Sequence, residues 1–151
     1  MTATNHALTG AIIGLVIGEP LLAIPLAFAS HFICDVIPHY HSKLPDPILF
    51  KTRGFRNYLV VEALLCFLLV VILFVYQPDN WLLAAVCAFV AASPDLGWIP
   101  RYLIMKSGRT WRPGIFSKFA KNIQWFQRPI GAAVEVAWFV AAIVIIVPFL
   151  R

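Results

Sequence analysis

The chain has 151 residues, of which 61% are hydrophobic and 13% charged, with a formal net charge of +5 and a mean hydropathy of +0.83. Soluble domains carry about 25% charged residues, so this composition excludes an ordinary water-soluble globule. The apolar residues fall in runs long enough for the roughly 20-residue helices that cross a bilayer. The sequence therefore predicts an all-α integral membrane bundle of four or five short transmembrane helices, a single transmembrane domain over residues 1–151.

The opening MTATNHALTG has no basic n-region and Gly18-Glu19-Pro20 is a poor small-x-small site, so no cleavable signal peptide is expected. The first apolar stretch, His6 to Ile37, holds 32 residues, about 48 Å of helix and too long for one upright crossing. Glu19-Pro20 breaks it, which predicts a hairpin of two short helices, Asn5–Gly18 and Leu21–Ile37. The first is short enough to be re-entrant or only partly submerged. Gly10, Gly14 and Gly18 leave one of its faces nearly bare, so that a neighbouring helix can approach closely. Pro25 should kink the second helix or end its first turn.

Three further spans follow at Tyr58–Tyr76, Trp81–Ile99 and Ile130–Leu150. Between the last two, Gly114–Phe126 puts Phe116, Phe119, Ile123 and Phe126 on a helical stripe, with Lys118, Lys121 and Asn122 off it. That pattern predicts a cytoplasmic interfacial helix, with Trp98, Trp111 and Trp125 as interfacial anchors. Cys34, Cys66 and Cys87 lie inside apolar runs and read as small packing residues.

Basic residues set the orientation. Loop 39–57 carries Lys43, Lys51, Arg53 and Arg56; loop 100–129 carries Arg101, Lys106, Arg109, Arg112, Lys118, Lys121 and Arg128. Eleven of the twelve Lys and Arg residues thus lie in two loops on one side, which the positive-inside rule assigns to the cytoplasm. The net charge is then a topology signal, and no nucleic-acid partner is expected.

A passive bundle would avoid the polar residues that remain. An acid at a helix centre costs about 2.5–3.5 kcal/mol on insertion scales. His31, Asp35 and His39 are spaced by four, which puts the first two on one helix face roughly 6 Å apart. Asp95 follows Pro94 near the end of its span, Glu62 and Glu135 sit within two turns of their span starts, and His6 opens the first helix. With five spans all seven fall within a few turns of the cytoplasmic face. Acids gathered in one layer need a compensating cation, and His with Asp or Glu suits zinc, with manganese or iron also possible.

Each residue also has a plainer reading. Glu62 can pair with Arg56 and Glu135 with Arg128 near helix starts, Asp95 can cap a broken helix, and His6 can be interfacial. His31 and Asp35 can form a simple hydrogen-bonded pair. After Pro38, His39 either turns inward or faces the loop, and Gln124 is either on the wet edge of the surface helix or reaches back into the site. His41 carries no assignment.

The set Asn5-His6-x-x-x-Gly10, Ser30-His31-x-x-x-Asp35-x-x-Pro38-His39 and Ser93-Pro94-Asp95 resembles the small bacterial inner-membrane proteins of the membrane-bound metal-dependent hydrolase family, the LexA-regulated group among them. Lys121-Asn122-Ile123-Gln124-Trp125 with Gly131-x-x-x-Glu135 is similar to a block in one branch of that family. The resemblance implies metal-assisted hydrolysis in the bacterial inner membrane, with His6, His31, Asp35 and Asp95 as ligands and His39 as a further candidate. Many relatives carry a histidine-rich segment near the last cytoplasmic loop, whereas this chain has no histidine after His41.

The expected activity is hydrolysis of a lipid or amphiphilic phosphoester at the cytoplasmic face. Glu62, Glu135 or Asp95 would serve in catalysis, and Arg101, Arg109, Arg112 and Gln124 would contact substrate. Two other classes compete. A structural or assembly protein would use the metal only to staple a polar core. A metal or proton transporter would need polar groups in the other half as well, where only Glu19 and Asp79 stand.

Overall fold

The computed structural model describes residues 1–40, 42, 44–124 and 128–151, with the backbone alone for Asp46, Pro47 and Lys121. His41, Lys43, Trp125 and Phe126 lie outside the described residues. Among those described, the fold is all-helical and has no strand. The elements are α1 (Ala3–Ile17), α2 (Pro20–Val36), the single turn α3 (Asp46–Leu49), α4 (Arg53–Tyr76) and α5 (Trp81–Ala92). A 3-10 segment, Ser93–Gly97, leads into α6 (Trp98–Lys106), followed by α7 (Ile115–Ile123), α8 (Gly131–Ile146) and a last 3-10 turn, Val147–Leu150. Among the described residues, three stretches are long and apolar enough to cross a membrane: Arg53–Tyr76, Trp81–Lys106 and Gly131–Leu150.

Local chemistry explains the breaks. Gly18 takes the left-handed conformation (φ 68°) that ends α1, and Pro20 starts α2 at a position where its missing N–H costs nothing. The Glu19 carboxylate caps that start by accepting from the Leu21 N–H at 3.3 Å. Pro38 forces the residue before it out of helical geometry, so Ile37 is extended (φ −72°, ψ 149°) and α2 stops there. Pro25 lies inside a continuous α2.

The first helix sits at the centre, packed by α2, α4, α5 and α8. Ala7, Leu8, Ala11 and Leu15 form the main core with Leu69 and Leu73 of α4, Ala84 and Ala88 of α5, and Ala142 and Ile146 of α8. A 15-residue helix reaches only about 22 Å, and burial in protein is what makes that length tolerable within a bilayer. The bare glycine face meets α5, as its spacing predicts. A Cβ on Gly10 would lie 2.2 Å from the Cys87 carbonyl oxygen, and one on Gly14 2.5 Å from Ala84 Cα. Lipid tails offer no hydrophobic drive for helices to associate, so this close backbone packing supplies much of the contact energy. Cys34 and Cys87 are buried free thiols and Cys66 is a half-buried one.

The surface helix forms over Ile115–Ile123. Its Phe116 and Phe119 rings reach Phe32 of α2, with centroids 6.2 and 5.6 Å apart, while Ile115 is 90% exposed. Trp98 gathers Phe55 and Tyr102 at 5.9 and 5.8 Å, tying the start of α4 to α6 at the same end.

Candidate metal centre

The polar residues of α1 and α2 meet where the two helices run side by side. The imidazoles of His6 and His31 stack with centroids 3.9 Å apart and planes 25° apart. Both address Asp35: His6 Nε2 lies 3.2 Å from Oδ1 and His31 Nε2 3.4 Å from Oδ2. Asp95 approaches from the 3-10 segment, its Oδ1 3.9 Å from His31 Nε2. One ligand atom from each of His6, His31 and Asp95 falls within 4.8 Å of the others, a separation that small side-chain rotations can bring onto one ion. His6, His31 and Asp35 are buried, and Asp95 is 28% exposed at its side chain.

Two further donors hold Asp35. The Met1 ammonium meets Oδ1, and the Gln124 amide donates to Oδ2 at 2.8 Å. Gln124 therefore reaches back into the site.

The Ser93-Pro94-Asp95 turn determines which face His31 presents. In a 3-10 turn the Ala91 carbonyl takes its hydrogen bond from the N–H of residue 94. Residue 94 is proline and has none. His31 Nδ1 lies 2.9 Å from that carbonyl oxygen, and because a carbonyl only accepts, Nδ1 carries the proton and donates. A neutral His31 then directs the bare lone pair of Nε2 at oxygens of Asp35 and Asp95. The Met1 ammonium balances Asp35 at Oδ1, which leaves the Nε2 lone pair and the Asp95 carboxylate to be met by a proton or a metal cation. The bond from Nδ1 to a carbonyl is also the usual partner of a metal-ligating histidine. His6 adds to the case. It is wholly buried, and among the described residues neither ring nitrogen has a hydrogen-bond partner, its approach to Asp35 being close but not aligned for one.

The remaining candidates are placed nearby with other attachments. Glu62 Oε2 accepts from the Thr4 N–H and the Thr4 hydroxyl, both at 2.8 Å, and so caps the first turn of α1. Glu135 Oε1 accepts from the Tyr40 N–H at 3.0 Å, and its backbone carbonyl takes the Asn5 amide at 3.0 Å. His39 is buried, with Nδ1 2.9 Å from the Ile37 carbonyl oxygen. Gly131 lets α8 press on that strap, since a Cβ there would stand 2.1 Å from the His39 carbonyl carbon.

A cavity of about 820 Å³ opens beside the centre. His31, Asp95, Arg101 and Gln124 stand on its polar wall; Phe32, Trp98, Trp111 and Phe116 form an aromatic one. Of the three arginines expected at substrate, Arg101 lines this cavity, while Arg109 and Arg112 are exposed on the segment between α6 and α7 and do not.

Sequence reasoning missed Thr4, Thr9, Trp138 and the Ala91 carbonyl, and it gave Asn5 no partner. Trp138 Nε1 donates to Thr9 Oγ1 at 3.0 Å, and that hydroxyl donates to the Asn5 carbonyl at 2.8 Å. The signal was present in the polar start of α1, where threonines and an asparagine sit on the helix that turns out to be most enclosed. Family models, curated proteins and solved structures offer no match to this chain.

Proposed function

We propose that this protein is a metal-dependent hydrolase of the bacterial inner membrane, acting at the cytoplasmic face on a lipid or amphiphilic phosphoester. The observation that carries the reading is the placement of His31: Nδ1 lies 2.9 Å from the Ala91 carbonyl oxygen and Nε2 faces Asp35 and Asp95. His6, His31, Asp35 and Asp95 would hold a divalent ion, zinc in the first place. Manganese and iron accept the same donors. Bound there, the ion supplies a water molecule acidic enough to lose a proton near neutral pH.

The protein's own groups do the rest. Asp95 is the carboxylate that faces the cavity, and it orients the reacting end of the substrate. Arg101, which also lines the cavity, offers paired donors to a phosphate. The aromatic wall takes up an acyl chain, so that the ester lies at headgroup depth. Glu62 and Glu135 remain available as bases only if they release Thr4 and Tyr40, and their bonds favour a holding role. Basic loops on the cavity side support a cytoplasmic orientation.

The burial of His6 and His31 among four helices favours a second reading, in which the ion is only a structural staple. Elemental analysis of detergent-purified protein separates the cases. Wild type is expected to carry stoichiometric metal that His31→Ala and Asp35→Ala lose. Wild type, but not Asp95→Asn, is expected to release phosphate from lipid phosphoesters. Metal without turnover on any lipid phosphoester leaves the staple; no metal in wild type under metal-replete conditions overturns both readings.

A further inference from the structure

We propose that Gln124 is a positioning residue through which the surface helix sets the carboxylate of the candidate metal centre; this rests on the metal reading above. Phe116, Ser117, Ala120 and Gln124 all line the cavity, and at offsets 0, 1, 4 and 8 they share one face of α7 and its continuation. That face is anchored next to the centre, because Phe116 and Phe119 pack on Phe32, the neighbour of His31. Just past the end of α7, where its own N–H still closes onto the Ala120 carbonyl at 3.4 Å, Gln124 extends its amide to Asp35 Oδ2 at 2.8 Å.

The chemistry of that bond suits a metal centre. A carboxylate can only accept, so the amide nitrogen faces it. A neutral amide on Oδ2 fixes the rotation of the carboxylate, directing Oδ1 toward His6 at 3.2 Å and toward the Met1 ammonium, and it adds no further charge to the centre. Partners of this kind, one shell out from the metal, are worth roughly 10- to 100-fold in metal affinity. The amphipathic helix lying on the membrane is thereby joined to the centre by one directional bond.

The test is a cobalt(II) titration of the detergent-purified full chain, followed by visible absorption. Wild type should bind stoichiometrically with a ligand-field spectrum. Gln124→Met keeps the side-chain volume and removes the donor, and should bind on the order of 10- to 100-fold more weakly with a shifted spectrum. Ser117→Ala, on the same face of α7, should match wild type. Equal affinity and spectrum for Gln124→Met and wild type overturns the positioning role alone. Equal weakening by Ser117→Ala also overturns it, assigning the effect to helix disturbance. Failure of wild type to bind cobalt overturns the metal reading and this inference with it.

Discussion

Gly10→Ala tests the link between helix packing and the candidate centre. Its Cβ would lie 2.2 Å from the Cys87 carbonyl oxygen and 2.7 Å from both Cys87 C and Ala91 Cβ, where ordinary contact begins at 3.4 Å. Backbone atoms of a packed helix cannot rotate away as a side chain can, so α1 must retreat from α5 by about 1 Å. Overpacking of this kind costs about 1–3 kcal/mol, and the better helix propensity of alanine returns up to about 1 kcal/mol. The net expectation is a loss of about 1–2 kcal/mol. His6 lies one turn away on the same helix, so a rigid retreat carries it off the His31 ring and out of reach of Asp35, now 3.2 Å distant. Functional geometry tolerates only about 0.5 Å, so cobalt affinity should fall on the order of tenfold or more. Unfolding in mixed detergent micelles reads the first quantity and metal titration the second. Gly54→Ala, with nothing within 4 Å of its added methyl, is the control. A Gly10→Ala protein with wild-type stability and wild-type metal affinity would refute the idea that close α1–α5 packing positions His6.

Two further substitutions separate holding groups from reacting ones. Glu62→Ala strands the Thr4 N–H and hydroxyl and should cost about 1–3 kcal/mol of stability. Glu62→Gln keeps an acceptor oxygen and should retain metal binding and turnover; loss of turnover with metal intact would instead make Glu62 the base. Arg101→Ala should raise KM for an anionic phosphoester roughly 10- to 100-fold, the value of a charge-assisted bond. Arg109→Ala and Arg112→Ala, outside the cavity, should stay within about twofold. Steady-state kinetics of all three variants would expose a uniform response, which would argue for a diffuse electrostatic effect.

Features that depend on a single segment could be read from the sequence. The spans followed from apolar run length, the α1–α2 break from Glu19-Pro20, and the His31–Asp35 face from a spacing of four. That a neighbouring helix comes close to α1 followed from Gly10 and Gly14, but that this helix is α5 did not. Even the convergence of His6, His31 and Asp95 was accessible, because topology brings alternate helix ends to one face. The partner of each group was not accessible. Whether Glu62 meets Arg56 or the first turn of α1 depends on packing between helices 58 positions apart, and charge pairing in the sequence pointed to the wrong neighbour. The use of Pro94 was hidden for another reason: it acts by what it lacks, and the histidine that meets the Ala91 carbonyl instead lies 60 positions before that alanine. The central place of the short first helix was not legible either, because length reports on crossing a bilayer and says nothing about enclosure by other helices.

The central place of α1 bears on how the molecule is assembled. Its start is lined with hydroxyl and amide groups, and its partners there, Glu62, Glu135 and Trp138, belong to helices made after it. Of these helices, the earliest synthesised completes its set of neighbours only when the last is made. During insertion α1 must wait beside α2 with its polar groups poorly matched, and the bundle closes around it only when α8 has emerged.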